Sequence, residues 1–217
     1  MTKPPAASAR LVAPDILARA RAGDRASFAQ LVEQSYPRAL RFATHMLGDA
    51  RDAEEAVQDT FVRVHRHLAR FNDDAAFEPW FFRILGNRCR TLAKTRRRHD
   101  PLVFDEQLAE HHAVAPADLP DDHFARELQR ALATLPPTQR EAFLLRHVDD
   151  MDYDEMTTIT GAQGSTLRMR VKRAIDTLRE QLTPARHTDA IAHDAIAHDA
   201  SRHGTRTVRD LGAPRSS

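Results

Sequence analysis

The sequence contains little of what several large classes of protein need. Its 217 residues include a single cysteine, Cys89, which excludes an internal disulfide framework and a multi-cysteine zinc site and favours the reducing cytoplasm. It has no apolar run of the roughly 18 residues that span a membrane, and its N-terminal residues lack the apolar core of a secretory signal. Seven glycines are also few for a protein built on glycine-rich nucleotide loops.

The chain likewise has little net charge. Its 32 Lys and Arg residues and 31 Asp and Glu residues leave a formal charge of +1, which argues against a simple polybasic nucleic-acid binder. The average hides segregation, however, because basic and acidic residues are concentrated in different segments. Arginine outnumbers lysine 29 to 3. The planar guanidinium group of arginine can donate two parallel hydrogen bonds to a phosphate or to the edge of guanine, which suits it to DNA better than the ammonium group of lysine.

Apolar residues recur at helical spacing almost throughout, and no run alternates as a β-strand would. Gly48 is placed to end one helix, Asp49 to cap the next, and Thr138 to cap a later one. The pattern predicts an all-α protein in which two small helical domains, residues 12–98 and 123–183, are joined by a flexible linker. Residues 99–122 contain three prolines and seven acidic residues but no Lys or Arg, which is typical of a linker. Residues 184–217 carry a five-residue repeat that builds no continuous helical face, and we expect this tail to be disordered.

The strongest local pattern is a helix-turn-helix. Asp152 and Glu155 have the spacing of a capping box, Gly161 is placed to end a short helix, and Ser165 is placed to begin a longer basic one. In such a motif the second helix meets base edges in the major groove. An ordinary amphipathic hairpin with a solvated basic face is the alternative. The candidate DNA-binding residues are Ser165, Thr166, Arg168, Met169, Arg170, Lys172 and Arg173.

Two further helices have faces that could bind a partner. The segment from Arg83 to Arg98 holds seven basic residues and no acidic one, and four aromatic residues lie at or just before its start. Phe77, Trp80 and Phe81 fit the apolar stripe of this helix, whereas Phe82 falls off it and is predicted to be a surface contact. The preceding helix, from Asp52 to Arg66, presents acids and then arginines outward, which by itself favours a solvated face.

Catalytic and metal sites find little support. The twelve histidines form no His-x-x-x-His pair backed by carboxylates, and the turn after Gly161 lacks the lysine of a phosphate loop. Cys89 lies on an apolar stripe and is predicted to be a small core residue. We therefore expect no catalytic residue, no metal site and no cofactor.

Four segments, taken in order, resemble the bacterial sigma factors of the extracytoplasmic-function type (group IV). They are DAEEAVQDTFVRV at 52–64 and FEPWFFRILGNRCR at 77–90, similar to region 2, and LPPTQREAFLLR at 135–146 and GSTLRMRVKRA at 164–174, similar to region 4. Each segment alone is moderately specific, whereas the four in this order and spacing are strongly specific. The sequence departs from the family at Ser165, where Gly is usual, and at Met169, where a small polar residue is common. It also departs in the first helix of the motif, where Thr157, Thr158 and Thr160 replace the usual Ala and Leu.

The resemblance implies a protein that binds core RNA polymerase, directs it to promoters and has no small-molecule substrate. It places the helix-turn-helix on the −35 element as duplex and the basic helix on the −10 element as single strand, with the acidic linker threading toward the RNA channel. Many members of the family are held inactive by an anti-sigma factor, so this is a further partner that the resemblance suggests. The implied polymerase contacts are Asp52, Glu55, Gln58, Asp59 and Arg63. The implied −10 contacts are Asn72, Phe82, Arg83, Asn87, Arg88, Arg90, Lys94, Arg96, Arg97 and Arg98.

Two other hypotheses make different predictions. A polymerase-independent helix-turn-helix regulator would bind duplex DNA by itself, usually as a dimer on a palindrome. A metal-dependent enzyme using the histidines would carry stoichiometric zinc, iron or manganese.

Overall fold

The computed structural model describes residues 11–71, 76–99 and 122–182, and within these ranges every regular element is helical. The side chains of 97–99 and 122–125 are outside this description. The chain divides into two compact units, Met1–Leu178 and Arg179–Ser217, and the second is described only over residues 179–182, which are helical. The helices are α1 (Pro14–Arg21), α2 (Arg25–Leu47), α3 (Ala50–His67), α4 (Phe77–His99), α5 (Asp122–Thr134), α6 (Pro137–His147), α7 (Tyr153–Thr160) and α8 (164–182), and a 3₁₀ turn, Leu68–Arg70, follows α3.

Local capping chemistry sets several of the helix boundaries. Gly48 adopts the left-handed conformation that ends α2, and the Asp49 carboxylate accepts a hydrogen bond from the Asp52 amide at the start of α3. Both features follow the sequence prediction. Thr138 was a predicted N-cap and this is wrong, because Pro136 occupies the cap and Pro137 begins α6, leaving Thr138 within the first turn.

Helices α1 to α4, here called the N-terminal bundle, pack around an aromatic cluster. Phe42 and Phe82 meet edge to face with ring centroids 5.3 Å apart, and Phe61 and Phe81 meet at 5.5 Å. Phe42, Phe81 and Phe82 are fully buried. Because aromatic rings bury large apolar areas, this cluster contributes much of the hydrophobic stabilisation of the bundle.

The remaining helices, α5 to α8, bury a second set of aliphatic side chains and lie against the N-terminal bundle. Helix α7 packs on α4, and α5 and α6 pack on α2. The buried set includes Leu132, Leu135, Leu144, Leu145, Met151, Met156, Ile159, Leu167, Val171, Ala174 and Leu178. The linker and the tail predicted for 99–122 and 184–217 lie outside the described residues, except for the helical ends His99 and Asp122.

Candidate nucleic-acid interface

The helix-turn-helix is formed by α7, a turn at residues 161–163 and α8. The Asp152 carboxylate accepts hydrogen bonds from the Asp154 and Glu155 amides, and the Glu155 carboxylate accepts one from the Asp152 amide, which completes the predicted capping box. Gly161 has φ +72°, the left-handed conformation that a side chain would strain. These two local features fix where α7 begins and where it ends.

The outward face of α8 is exposed, as the sequence predicts. Leu167, Val171 and Ala174 face the core, so the residues between them point away from it. Ser165, Thr166, Arg168, Met169, Lys172 and Arg173 are exposed, and Arg170 is half-buried.

An open groove of about 400 Å³ runs along this face of α8 and extends to α6. Thr138 and Gln139, in the first turn of α6, line it together with five of the predicted α8 residues. Sequence reasoning missed both as site residues, because it gave Thr138 a capping role and Gln139 none. Their polar side chains add hydrogen-bonding groups beside the basic helix.

Arg168 differs from the other arginines of α8 because it is held by an aromatic ring. Its guanidinium group lies 4.9 Å from the centroid of Tyr153, and the guanidinium of Arg146 lies 5.6 Å from the same ring. Cation–π contacts of this kind are worth about 0.5–1 kcal/mol at exposed sites. The ring of α7 therefore restrains Arg168 at the edge of the exposed face.

The basic face of α4 is partly neutralised by acids of α3. Arg88 Nη2 lies 2.7 Å from Glu55 Oε1 and Arg88 Nε lies 2.7 Å from Asp59 Oδ2. Arg96 Nη1 lies 3.0 Å from Asp52 Oδ2 and 3.6 Å from Asp49 Oδ2. Residues that the resemblance divides between polymerase and −10 DNA are therefore joined in ion pairs on neighbouring helices.

Other predicted −10 residues are placed in three ways. Arg83, Asn87 and Lys94 are exposed on α4. Arg90 donates to the Glu141 carboxylate of α6 and, at 2.5 Å, to Asn87 Oδ1. Asn72 lies outside the described residues, as do the side chains of Arg97 and Arg98, although their backbone continues α4.

Phe82 is a correction. The sequence predicts a surface contact at this position, whereas the structure buries the ring completely. It packs edge to face on Phe42 and Phe81, and the Arg38 guanidinium lies 5.1 Å from its centroid. The physical reason is that α2 and α7 pack on α4 in addition to α3, so α4 needs an apolar face broader than one stripe.

The predicted polymerase face of α3 is open. Glu55, Gln58 and Arg63 are exposed, and Asp52 and Asp59 are half-buried. Val62 lies on the same face with 48% of its surface exposed, and the sequence pattern alone did not single it out. A large exposed aliphatic side chain among charges is the signal that could have identified it.

Polar contacts join the N-terminal bundle to α6 and the loop that follows. Arg38 Nε donates to Asp149 Oδ1 at 2.8 Å, and Arg140 Nη1 donates to the Met46 carbonyl at the end of α2 at 2.8 Å. Gly86 permits the approach of Glu141 to α4, since a Cβ there would lie 2.9 Å from Glu141 Oε1. Burial raises the pKa of Asp149 and of Glu141, against the opposing effect of their arginine partners.

Metal and thiol chemistry find no site in the part of the chain that the structure describes. No group of three or more His, Cys, Asp or Glu side chains in that part could hold a metal ion. Cys89 is buried as predicted, and burial raises the pKa of its thiol to about 12, which keeps it protonated and unreactive. None of the described helices is long and apolar enough to cross a membrane.

Comparisons with known proteins agree with this geometry. The family model of sigma-70 region 2 matches residues 31–99, and that of sigma-70 region 4 matches residues 125–178. The ECF RNA polymerase sigma factor SigE of Mycolicibacterium smegmatis is 32% identical over 78% of this chain and 67% of its own length. The RNA polymerase sigma factor CarQ of Myxococcus xanthus is 31% identical over 76% of this chain and 94% of its own.

Two solved structures are also similar. One is the sigma factor RpoE in complex with the anti-sigma factor NepR from Bartonella quintana, with a TM-score of 0.62, 26% identity and coverage of 72% of this chain and 96% of that one. The other is CnrH in complex with the cytosolic domain of CnrY, with a TM-score of 0.58, 27% identity and coverage of 78% and 96%.

Proposed function

The chain belongs to the extracytoplasmic-function sigma factors of RNA polymerase, and from this membership we propose which of its surfaces bind polymerase and which bind the two promoter elements. As a sigma factor it binds core RNA polymerase and directs promoter-specific initiation of transcription. Sigma factors are regulatory, non-catalytic proteins, and we assign no bond-making step, cofactor or metal to this chain. Its place of action is the cytoplasm, where polymerase and promoters lie. The functional division is 12–98 for region 2, 99–122 for the linker and 123–183 for region 4.

The exposed basic face of α8 is the surface for the −35 element. Two observations support this: the helix-turn-helix geometry, and the absence of any acid between Gly164 and Ile175, a stretch that contains four basic residues. Arginine can bond guanine with two hydrogen bonds, and Lys172 and Arg173 at the end of the face suit phosphates. Thr138 and Gln139 extend the same surface from α6.

The exposed side chains of α4 are the surface for the −10 element as single strand. Arg83, Asn87 and Lys94 are exposed, although Asn87 Oδ1 accepts a hydrogen bond from Arg90, and the run Arg96–Arg98 continues the basic sequence along the helix. When the −10 element melts, its bases lose their stacking in the duplex, and binding of the unpaired bases by the protein offsets this loss. Basic side chains neutralise the phosphates of the same strand. Phe82 is left out of this surface because it is buried.

The polymerase contact is the open face of α3, formed by Asp52, Glu55, Gln58, Asp59 and Arg63. Val62 joins this set, because its exposed side chain supplies apolar area on an otherwise polar and charged face. The acidic linker then runs toward the RNA channel of the polymerase, where its charge resembles that of a nucleic acid. Two DNA-binding surfaces that are weak separately bind more tightly when one chain joins them on a single polymerase, because binding of the first raises the effective concentration of the second.

An anti-sigma factor is a further proposed partner. Two solved structures to which this chain is similar are complexes: the sigma factor RpoE with the anti-sigma factor NepR, and CnrH with the cytosolic domain of CnrY. A protein that occupied the faces of α3 or α8 would prevent polymerase or promoter binding. Co-purification of the full chain with the product of a neighbouring gene tests this partner.

Reconstituted transcription tests the function. The purified chain and core polymerase are combined with a pool of randomised promoters, and run-off transcripts are sequenced. We expect a complex on gel filtration and selected promoters with two conserved elements at fixed spacing. Neither a complex nor a specific transcript would contradict the proposal. Binding of the isolated chain, as a dimer, to a palindromic duplex would favour the polymerase-independent regulator instead.

A matched pair of charge reversals separates the polymerase face from general surface effects. Arg63→Glu on α3 places an acid on the proposed contact face, and we expect it to weaken the complex with core polymerase at least tenfold. Arg25→Glu changes an exposed arginine in the first turn of α2 and should leave the complex unchanged. Equal effects of the two substitutions would contradict the assignment of α3.

A further inference from the structure

Met169 is an apolar side chain at the centre of a polar face. It is 51% exposed, and Val62 is the other large hydrophobic residue exposed to this degree in the described part of the chain. On an α-helix its nearest surface neighbours lie three and four residues away: Ser165 and Thr166 before it, Lys172 and Arg173 after it. All four are exposed, so Met169 occupies the middle of the outward face and packs on no core.

The groove beside α8 indicates which part of a bound DNA duplex Met169 would face. Met169 lines the groove together with Gln139, Arg170 and Arg173, which carry hydrogen-bonding or charged groups. If duplex DNA occupies the groove, a side chain at the middle of the second helix of a helix-turn-helix faces base edges and not the phosphate backbone. Arg170 and Gln139 then supply the polar readout, and Met169 is the apolar member of the set.

Base edges in the major groove present a single apolar feature, the C5-methyl group of thymine. We propose that Met169 is a specificity-determining residue that packs on a thymine methyl of the −35 element; the inference rests on the proposed function of α8. The flexible, polarisable thioether side chain adapts its shape to a methyl group at short range. Contact with the methyl removes apolar surface of both groups from water, which favours thymine over the other bases at that position.

The charge of the surrounding face favours DNA as the occupant. Arg168, Arg170, Lys172 and Arg173 surround Met169, and the first acid after Gly164 is Asp176. A protein partner that used Met169 as an apolar anchor would meet these four cations on its own surface and would need to be strongly acidic. A DNA duplex supplies that charge along its whole backbone.

The experiment replaces thymine by uracil, which removes the methyl group and leaves every hydrogen-bonding group in place. The −35 sequence is first identified with the holoenzyme and the randomised promoter pool. Each thymine of either strand is then replaced singly by deoxyuridine, and holoenzyme binding is measured by competition. We expect about fourfold weaker binding at one or two adjacent thymines, the factor for losing one buried methyl group.

Variants at the same position link the effect to Met169. Met169→Ala should bind the thymine and uracil promoters equally well, and Met169→Leu, which keeps an apolar side chain, should retain the preference for thymine. Arg173→Ala is the matched control: we expect weaker binding to all sequences with the thymine preference unchanged. Because Met169 is exposed, these substitutions remove no core packing.

Each outcome bears on the inference. A thymine preference that disappears in Met169→Ala and survives in Met169→Leu supports it. A −35 element without thymine, no uracil effect at any position, or an effect that persists in Met169→Ala would overturn it while leaving the sigma-factor function intact. Failure of the wild-type holoenzyme to select any promoter would overturn the proposed function, and this inference with it.

Discussion

At the scale of single residues, ion pairs decide which charges of the N-terminal bundle remain available to partners. Arg88 is engaged by Glu55 and Asp59, whereas Arg83, five residues earlier on α4, is exposed. The Arg88 side chain is 17% exposed, but the Glu55 and Asp59 side chains are 54% and 44% exposed, so water screens these pairs and DNA or polymerase can replace them. The pairs orient side chains in the free protein and leave both surfaces competent to bind.

Substitution of Phe82 tests its place in the core. Phe82→Ala removes a fully buried ring from the contact with Phe42 and Phe81, and we expect the free energy of unfolding to fall by about 3–5 kcal/mol. Chemical denaturation followed by circular dichroism measures the change. Arg83→Ala, at the neighbouring exposed position, should change stability by less than about 0.5 kcal/mol. A Phe82→Ala protein of wild-type stability would contradict the buried position.

His45 gives the protein a predicted pH dependence. Its Nδ1 lies 2.5 Å from Gln129 Oε1, and because Gln129 Nε2 donates to the Thr44 carbonyl, the imidazole is the donor in this contact. Burial lowers the pKa of His45 below its usual 6.5, with a smaller contribution from Arg41 and an opposing one from Gln129. The folded state therefore binds a proton less readily than the unfolded state, and stability falls as the pH drops below about 6.5.

Denaturation of the wild type and of His45→Gln at pH 7.5 and at pH 5.5 measures this contribution. We expect the wild type to lose more stability than the variant between the two values, because the variant has no imidazole to protonate at this position. An equal loss in both proteins would show that His45 does not titrate differently in the folded and unfolded states.

At the scale of elements, the helix-turn-helix is held by local chemistry that the sequence already displays. The capping box of Asp152 and Glu155 begins α7, and Gly161 ends it within eight residues. A helix of eight residues has little stability by itself, because the free energy that its few hydrogen bonds contribute does not offset the free-energy cost of helix nucleation. Its position therefore depends on the cap and on the burial of Met156 and Ile159.

Removal of the cap tests this dependence. Asp152→Ala leaves the Asp154 and Glu155 amides without their side-chain acceptor, and we expect the free energy of unfolding to fall by about 1 kcal/mol. Asp154→Ala is the control, since its exposed carboxylate caps nothing. Thermal unfolding of the two variants compares them, and equal melting temperatures would contradict the role of the capping box.

The element scale is also where sequence reasoning was most complete. The helical class, the ends of α2 and α7, the start of α3 and the exposed face of α8 all follow from caps, glycines and apolar spacing. Thr138 shows the limit: a residue that can cap a helix does so only if the chain enters the helix there, and Pro137 fixes the entry one residue earlier.

At the scale of the whole molecule, buried carboxylates lie at the junction between the N-terminal bundle and helices α5 to α8. Glu141 is 3% exposed and pairs with Arg90, which is 32% exposed. Asp149 is held by Arg38, and Asp150, with φ 53°, makes the turn beside it. Because an unpaired buried carboxylate would be costly, these pairs fix the register of packing between α4 and α6 and between α2 and the loop after α6.

A double-mutant cycle measures the junction. Arg90→Ala leaves the buried Glu141 carboxylate without its partner, and we expect it to reduce stability by about 2 kcal/mol. The coupling energy from Arg90→Ala, Glu141→Ala and the double variant should lie at about 1–3 kcal/mol. The exposed pair Arg19 and Asp15 on α1 is the control and should couple by less than about 0.5 kcal/mol. Equal coupling in both cycles would contradict a buried junction.

The sequence by itself determined the helical class, the order of the helices, the helix-turn-helix with its exposed face and the family. These depend on interactions between residues close in the chain, which spacing and capping reveal. Only the tertiary structure decided that Phe82 is buried, that Arg88 and Arg96 pair with the acids of α3, and that Glu141 and Asp149 are held by arginines of the N-terminal bundle. The reason is that burial and ion pairing depend on which helices pack together. The spacing of apolar residues along one helix predicts its buried face but not the number of neighbouring helices that cover it.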